Sequence, residues 1–243
     1  MKLLLSLYDH SGNQSLPYKR NGWLVKQIDI KLGTDILTFD AKQYIEDVSN
    51  ILELTGDKIE KIGIICATPC TDYAISGAKH FARKDSDGTT DFSQKLVAKN
   101  KEIIDYCKST GLLQFHQTEN PMSRIHKLNP WMGEVKFKFN PCDFVSYVEN
   151  VYDVRRKLEN FIGTDMRKLP KDALKYMFDV GAYNKMTWLW GEFNNPKKDK
   201  VKLDPPYKDN PGFVLYGGKS EATKEKRSVT PMGFAWAFYY ANN

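Results

Sequence analysis

Four stretches of this chain combine residue types and spacings that could do chemistry, each at the end of a predicted strand. The first is Leu7-Tyr8-Asp9-His10-Ser11-Gly12, a turn with a single glycine. One glycine is not a dinucleotide fingerprint, but it lets backbone approach a small ligand at a strand's carboxyl edge. The second is Gln27-Ile28-Asp29 with Gly33-Thr34-Asp35-Ile36 close behind. Asp29 lies 17 residues after Gly12, near the spacing at which an acid binds ribose hydroxyls, and Asp35 is a candidate partner for an adenine amino group. The third is Cys66-Ala67-Thr68-Pro69-Cys70-Thr71-Asp72, where Cys70 follows Pro69 into a loop. A loop thiol near helix N-termini or basic groups can ionise and act as a nucleophile. The fourth is Thr118-Glu119-Asn120-Pro121, in which Pro121 forces its predecessor extended and Glu119 is a candidate general acid. Each also has an ordinary reading: a βα turn, surface carboxylates, an inert cysteine, a polar turn.

The elements that must position these residues alternate. Leu3 to Tyr8 reads as a buried strand, Gln14 to Asn21 as a helix and Trp23 to Ile30 as a second strand. Helix-spaced Tyr44, Val48, Ile51 and Leu52 predict a helix over 41–53. Lys61 to Cys66 is the next strand, Lys84 to Thr90 a polar loop, and Leu96 to Ser109 a helix stopped by Gly111. Leu112 to Phe115 is a further short strand. This rhythm predicts an α/β domain with a mostly parallel sheet over 1–142. Residues 143–182 break it: Phe144 to Phe161, closed by Gly163, and Pro170 to Phe178 predict a helical insertion. From 183 to 243 the chain is expected to return to the core through a loop over 192–212. It ends in a helix capped by Thr230, with Pro231 first and Phe234 to Tyr240 apolar.

Composition sets the class. The 243 residues carry 36 Lys+Arg and 30 Asp+Glu, for +6, with 41% hydrophobic and 27% charged residues. That is globular rather than disordered, and mildly basic, which permits a nucleic-acid partner without demanding one. Met1 to Leu5 starts like a signal peptide but is broken by Ser6, Asp9 and His10, and no apolar run is long enough to span a membrane. The four cysteines show neither metal-ligand spacing nor a disulfide pattern, so a reducing, cytoplasmic location is expected, with Cys66, Cys107 and Cys142 structural.

Taken together, the four stretches resemble the cytosine-C5 DNA methyltransferase family, in the style of small methylase-like proteins of bacteriophages and mobile elements. Leu7 to Gly12 resembles that family's Phe-x-Gly-x-Gly motif, and Pro69-Cys70-Thr71-Asp72-Tyr73-Ala74-Ile75-Ser76-Gly77 its Pro-Cys-Gln-x-Phe-Ser-x-x-Gly. Glu119-Asn120-Pro121 is similar to Glu-Asn-Val, and Arg227-Ser228-Val229-Thr230-Pro231 to the late Asn-Ser-Val-x-Pro. About half of the chain takes part. The resemblance implies a class I methyltransferase-like Rossmann fold and S-adenosylmethionine as cofactor. It places the cofactor against Tyr8, Asp9, Ser11, Gly12, Asp29, Asp35, Ile36 and Pro69. It implies Cys70 as nucleophile and Glu119 as acid, with Asn120, Lys185, Arg124, Ser76 and Gly77 on the substrate, most simply DNA. Lys79, Arg83, Lys84 and Lys127 are further candidates for phosphates, and loop 84–94 for a lid.

Three departures stand out. Asp9 replaces a usual glycine, and Tyr183-Asn184-Lys185-Met186-Thr187-Trp188 is the nearest match to Gln-Arg-x-Arg, with one basic residue. The stretch between Trp190 and Arg227 is also short for a target-recognition region. A related enzyme acting on RNA, a nucleotide or a modified base is the alternative. So is a non-catalytic binding protein engaging a protein partner or nucleic acid.

Overall fold

The computed structural model describes residues 1–161, 164–201, 210–216 and 220–243. In chain order its elements are β1 (Lys2–Leu7), α1 (Leu16–Arg20), β2 (Leu24–Ile28), α2 (Ala41–Glu53), β3 (Lys61–Cys66), α3 (Phe81–Ser86), α4 (Thr89–Ser109), β4 (Leu113–Pro121), α5 (Ile125–Leu128) and β5 (Phe137–Phe139). There follow α6 (Val151–Glu159), α7 (Lys171–Asp179), β6 (Thr187–Glu192), α8 (Pro211–Leu215), α9 (Glu221–Ser228) and α10 (Met232–Asn242). The chain divides into two units. One comprises Met1–Lys138 and Thr187–Phe193, the other Phe139–Met186 and Asn194–Asn243.

The first unit is built on the sheet, whose strand order is β2-β1-β3-β4-β6-β5. β1 pairs in parallel with β2 and β3, β3 pairs in parallel with β4, and β6 runs antiparallel to β4. This is the expected mostly parallel, Rossmann-like α/β architecture. β1 and β3 are apolar apart from Ser6 and their leading lysines because both their faces are covered. Leu3, Leu5, Leu7, Ile62 and Ile64 share one core with Ile45 and Val48 of α2 and Ile103 and Ile104 of α4. On the opposite face Phe115 packs 5.8 Å from the Tyr18 ring and 6.1 Å from Trp23. Gly63 makes room there: a Cβ at that position would sit 2.4 Å from the Phe115 ring. β2 and β3 flank β1 on opposite sides, so the order reverses between β1 and β3. Loops leaving the carboxyl ends of parallel strands at such a switch point open a crevice, and ligands of open α/β sheets collect there.

The second unit is helical, with an aromatic core. Phe139 stacks on Phe234 of α10 at 4.2 Å, and Phe144 meets both. Gly233 permits the approach, since a Cβ there would lie 2.2 Å from the Phe144 carbonyl oxygen. Asn242 ties the end of α10 back to the start of the unit's second segment, accepting the Asn194 N–H at 2.7 Å and donating to its carbonyl at 3.0 Å. Asp143 is buried and receives Lys198 at 2.9 Å and Lys200 at 2.8 Å. Burial alone would raise its pKa; bonds from Lys200, the Asn140 N–H and Lys198 outweigh that and hold it below the usual carboxylate value. The units differ in charge. The second carries 17 Lys+Arg against 12 Asp+Glu, for +5, and the first 19 against 18, for +1.

Several local expectations are corrected. The polar stretch 84–90 is not a loop, and the lid expected over 84–94 is mostly helical: α3 runs to Ser86 and α4 begins at Thr89, with Gly88 at φ 77° turning the chain between them. β4 extends to Pro121, because β6 pairs with it as far as Pro121↔Thr187. The helix expected over 144–161 is a 3-10 segment, Pro141–Tyr147, followed by the shorter α6. The final helix starts after Pro231 rather than at a Thr230 cap. Gly163, expected to end a helix, and residues 202–209 of the expected loop lie outside the described residues.

Candidate functional site

The four stretches singled out in the sequence leave the carboxyl ends of β1, β2, β3 and β4, all on the same edge of the sheet because these strands are parallel. The β3 loop carries Cys70. Its path is set by a turn in which Cys70's carbonyl accepts the N–H groups of Tyr73 at 3.0 Å and Ala74 at 2.9 Å. Beyond the turn, buried Asp72 receives Lys84 Nζ at 2.5 Å and the Ser93 hydroxyl at 2.5 Å, tying the loop to α3 and α4. Tyr73 is fully buried and donates to Gln94 at 3.0 Å; burial raises its pKa far above the usual phenol value. Cys70 itself stays half-buried, and Pro69 is exposed. The thiol sits on a loop whose flank is fixed while its own surface remains reachable.

Glu119 is the half-buried member of the β4 end. Its neighbour Asn120 is fully buried and donates Nδ2–H to the Thr68 carbonyl at 2.8 Å. That bond spans from β4 to the loop after β3, so the glutamate and cysteine stretches are fastened to one another. Thr68 also accepts Asn100 Nδ2–H at 3.0 Å, and Asn100 accepts the Tyr8 hydroxyl at 2.9 Å. A chain of hydrogen bonds therefore runs from the β1 turn through α4 to the β3 loop and the end of β4. Sequence reasoning misses Asn100 and Thr68, since nothing in their spacing distinguishes them. Strand alternation could have found Gln117. It lies on Glu119's face of β4, fully buried, and among the described residues neither amide atom has a hydrogen-bond partner.

The predicted cofactor residues divide. Asp29 Oδ1 accepts the Lys31 N–H at 2.8 Å and Asp35 Oδ1 the Leu37 N–H at 3.0 Å; among the described residues neither Oδ2 has a protein donor. Both carboxylates are half-exposed, as acceptors for hydroxyl or amino groups must be. Ile36 is buried in the core beneath them. Tyr8 and Gly12 hold left-handed backbone, φ 61° and 71°, which bends the chain sharply off β1. A Cβ on Gly12 would meet Gln27 Nε2 at 3.2 Å. Asp9 behaves differently. It is buried and its carboxylate accepts the Ser6 hydroxyl at 2.8 Å and the Ser15 N–H and hydroxyl at 3.1 and 2.8 Å, with Ser11 at 3.4 Å. Asp9 and Ser11 thus organise the turn that a glycine-rich motif would otherwise form.

Among the predicted substrate residues, Ser76 is exposed and Gly77 half-buried in a short 3-10 turn, Ile75–His80. Arg124 is engaged elsewhere: both its terminal nitrogens meet Asp85 at 2.7 Å and its guanidinium lies 3.6 Å from the Phe81 ring. Hydrogen bonds from Arg124 and Thr90 lower Asp85 to about 2. Lys84 is held by Asp72 and Arg83 by Asp87, whereas Lys79 and Lys127 are exposed and pair with no carboxylate among the described residues. Lys185 belongs to the second unit and donates to the Arg227 carbonyl at 3.2 Å.

The other three thiols are buried. Burial pushes Cys66 and Cys107 up to about 12 and Cys142 to about 11, so none is a thiolate near neutral pH. Among the described residues no helix is long and apolar enough to cross a membrane. Comparison of the chain with family models and with curated proteins finds no match.

Proposed function

We propose that this protein is a class I methyltransferase-like enzyme that methylates cytosine at carbon 5 in DNA, with Cys70 as nucleophile and Glu119 as acid. The observation that carries this is the pairing of a reachable thiol loop with a glutamate on the adjacent parallel strand. Both stand beside the β1/β3 switch point and are fastened by the Asn120–Thr68 bond of 2.8 Å.

Carbon 6 of cytosine is a weak electrophile and carbon 5 a weak nucleophile. Addition of the Cys70 thiolate to carbon 6 moves the ring electrons toward N3 and makes carbon 5 enamine-like. Glu119, protonated, donates to N3 as charge builds there. S-adenosylmethionine, when bound, supplies the electrophilic methyl group. Asp29 and Asp35, each with Oδ2 turned away from the bond its Oδ1 makes, would hold its ribose and adenine, and the Tyr8–Gly12 turn would let backbone approach it. Loss of the carbon 5 proton and of the Cys70 sulfur then restores the aromatic ring. In a duplex the base must leave the stack first. The second unit's charge of +5 suits it to the phosphate backbone.

A label-transfer assay from methyl-labelled S-adenosylmethionine tests this, with duplex DNA, RNA and deoxycytidine monophosphate in parallel. Transfer to carbon 5 of duplex cytosine, absent in Cys70→Ser, is expected; transfer only to RNA or the nucleotide would reassign the substrate. A non-catalytic binding protein is the second reading. It is favoured by Asp9, whose carboxylate is already filled by Ser6 and Ser15. Absence of cofactor binding at millimolar concentration would select it.

A further inference from the structure

A separate cavity of about 310 Å³ opens in the first unit between the C-terminal half of α4, strands β4 and β6, and the Trp131–Glu134 segment. His116, Thr118 and Trp190 line it from the strands, Lys108 from α4, and Trp131 from the segment after α5. It lies on the His116–Thr118 face of β4, the face opposite Glu119, because successive strand residues alternate.

What points to a ligand is His116. It is 6% exposed, lines the cavity, and among the described residues neither ring nitrogen has a hydrogen-bond partner. Glu192 Oε1 lies 3.8 Å from Nε2, beyond hydrogen-bond range. A buried polar group without a partner is expensive, and a site that keeps one has usually kept it for something that completes it. The backbone holds the ring there: Gly191 on β6 has φ 118°, and a Cβ on it would sit 2.9 Å from His116 Nδ1.

The lining limits the ligand's chemistry. Its cations are already matched, Lys108 with Glu192 at 2.6 Å and Lys101 with Asp105. An anion would find no spare positive charge and would face the further carboxylate of Glu134, so the ligand is not an anion. Trp131 and Trp190 both line the cavity, and aromatic side chains favour a planar ring as their neighbour. Burial and nearby Lys108 lower the His116 pKa, so at neutral pH its imidazole offers one donor and one acceptor. The volume lies at the small end for ligand pockets. We propose that this cavity binds a planar heteroaromatic molecule of nucleobase size that carries no negative charge and makes a hydrogen bond with one ring nitrogen of His116.

The test is titration of the full chain with adenine, hypoxanthine and uracil, followed by calorimetry and by NMR of the tryptophan indole N–H signals. Saturable one-to-one binding that shifts the Trp190 and Trp131 signals is expected. His116→Leu should weaken it at least about tenfold, the size of one lost hydrogen bond in a buried site. The same variant should keep or raise Tm, because it removes an unsatisfied buried group. Glu119→Gln should leave binding intact, which separates this cavity from the candidate catalytic site. No saturable binding of any of the three at millimolar concentration overturns the proposal. So does binding that His116→Leu leaves unchanged, or that Glu119→Gln abolishes.

Discussion

The two units place their charged groups differently. In the sheet unit three cations near the candidate site each have a carboxylate partner: Lys84 with Asp72, Arg124 with Asp85, Arg83 with Asp87. The helical unit carries most of the protein's net positive charge, and its pairs around α6, Arg155–Glu159 and Arg156–Asp153, are solvent-exposed. Exposed pairs exchange readily for other anions, whereas Lys84 and Asp72, at 13% and 7% side-chain exposure, do not. Around the β3 loop charge fixes backbone, as it does at Asp143 in the helical unit; around α6 charge stays at the surface, available to a partner.

The comparison can be broken at several points. The largest effect is expected at the acid: Glu119→Gln should lower methyl transfer by about 10²–10⁴-fold while leaving cofactor affinity near its original value. Equal loss of cofactor binding would place Glu119 in the scaffold instead. Asp72→Ala leaves Lys84 buried without its partner, and should destabilise the sheet unit by about 3–5 kcal/mol in chemical denaturation. Little change would mean that the bonds from Lys84 to the Thr71 carbonyl and from Arg124 to the Asp72 carbonyl hold the loop after Cys70 without the carboxylate. Gly63→Ala and Gly233→Ala each overpack one unit, at about 1–3 kcal/mol apiece. If the units unfold separately, each substitution should move a different transition in calorimetry; one shared transition would make them a single cooperative body. Arg155→Glu with Arg156→Glu should weaken duplex binding and flatten its salt dependence by about 0.9 for each phosphate that is no longer neutralised. An unchanged slope would remove α6 from the nucleic-acid surface.

The smallest effect is pH. His116 is lowered below 6.5 by burial, so the unfolded chain takes up the proton first and stability falls as pH drops below that value. Asp85, lowered to about 2 by Arg124, contributes stability that is present above 3.8 and lost as pH falls through about 2. Both act in the same direction, and Tm measured from pH 8 downward should decline in two steps. His116→Leu should flatten the first step only.

The sheet was legible because β1 and β3 are apolar apart from Ser6 and their leading lysines, a pattern that strands covered on both faces need. The placement of Cys70 and Glu119 followed from the same pattern, since both stand at the ends of strands. Polar partnerships were not legible. Asp9 looked like a ligand acid, yet it accepts from serines before and after it. Arg124 looked like a phosphate contact, yet Asp85 lies 39 residues away in sequence and a folded pair is needed to reveal the match. Residues 84–90 looked like a loop because polar composition does not separate a loop from two exposed helix ends. His116 gave no signal, since a lone histidine in a strand has no period or motif to mark it.

The central claim is that Cys70 attacks carbon 6 of cytosine, and mechanism-based trapping tests it most directly. The protein is incubated with S-adenosylmethionine and duplex DNA containing 5-fluorocytosine, denatured and analysed by mass spectrometry. Fluorine at carbon 5 cannot leave as a proton, so a covalent adduct mapped to Cys70 is the predicted result. An adduct on another residue, or none although cofactor and duplex both bind, would contradict the account.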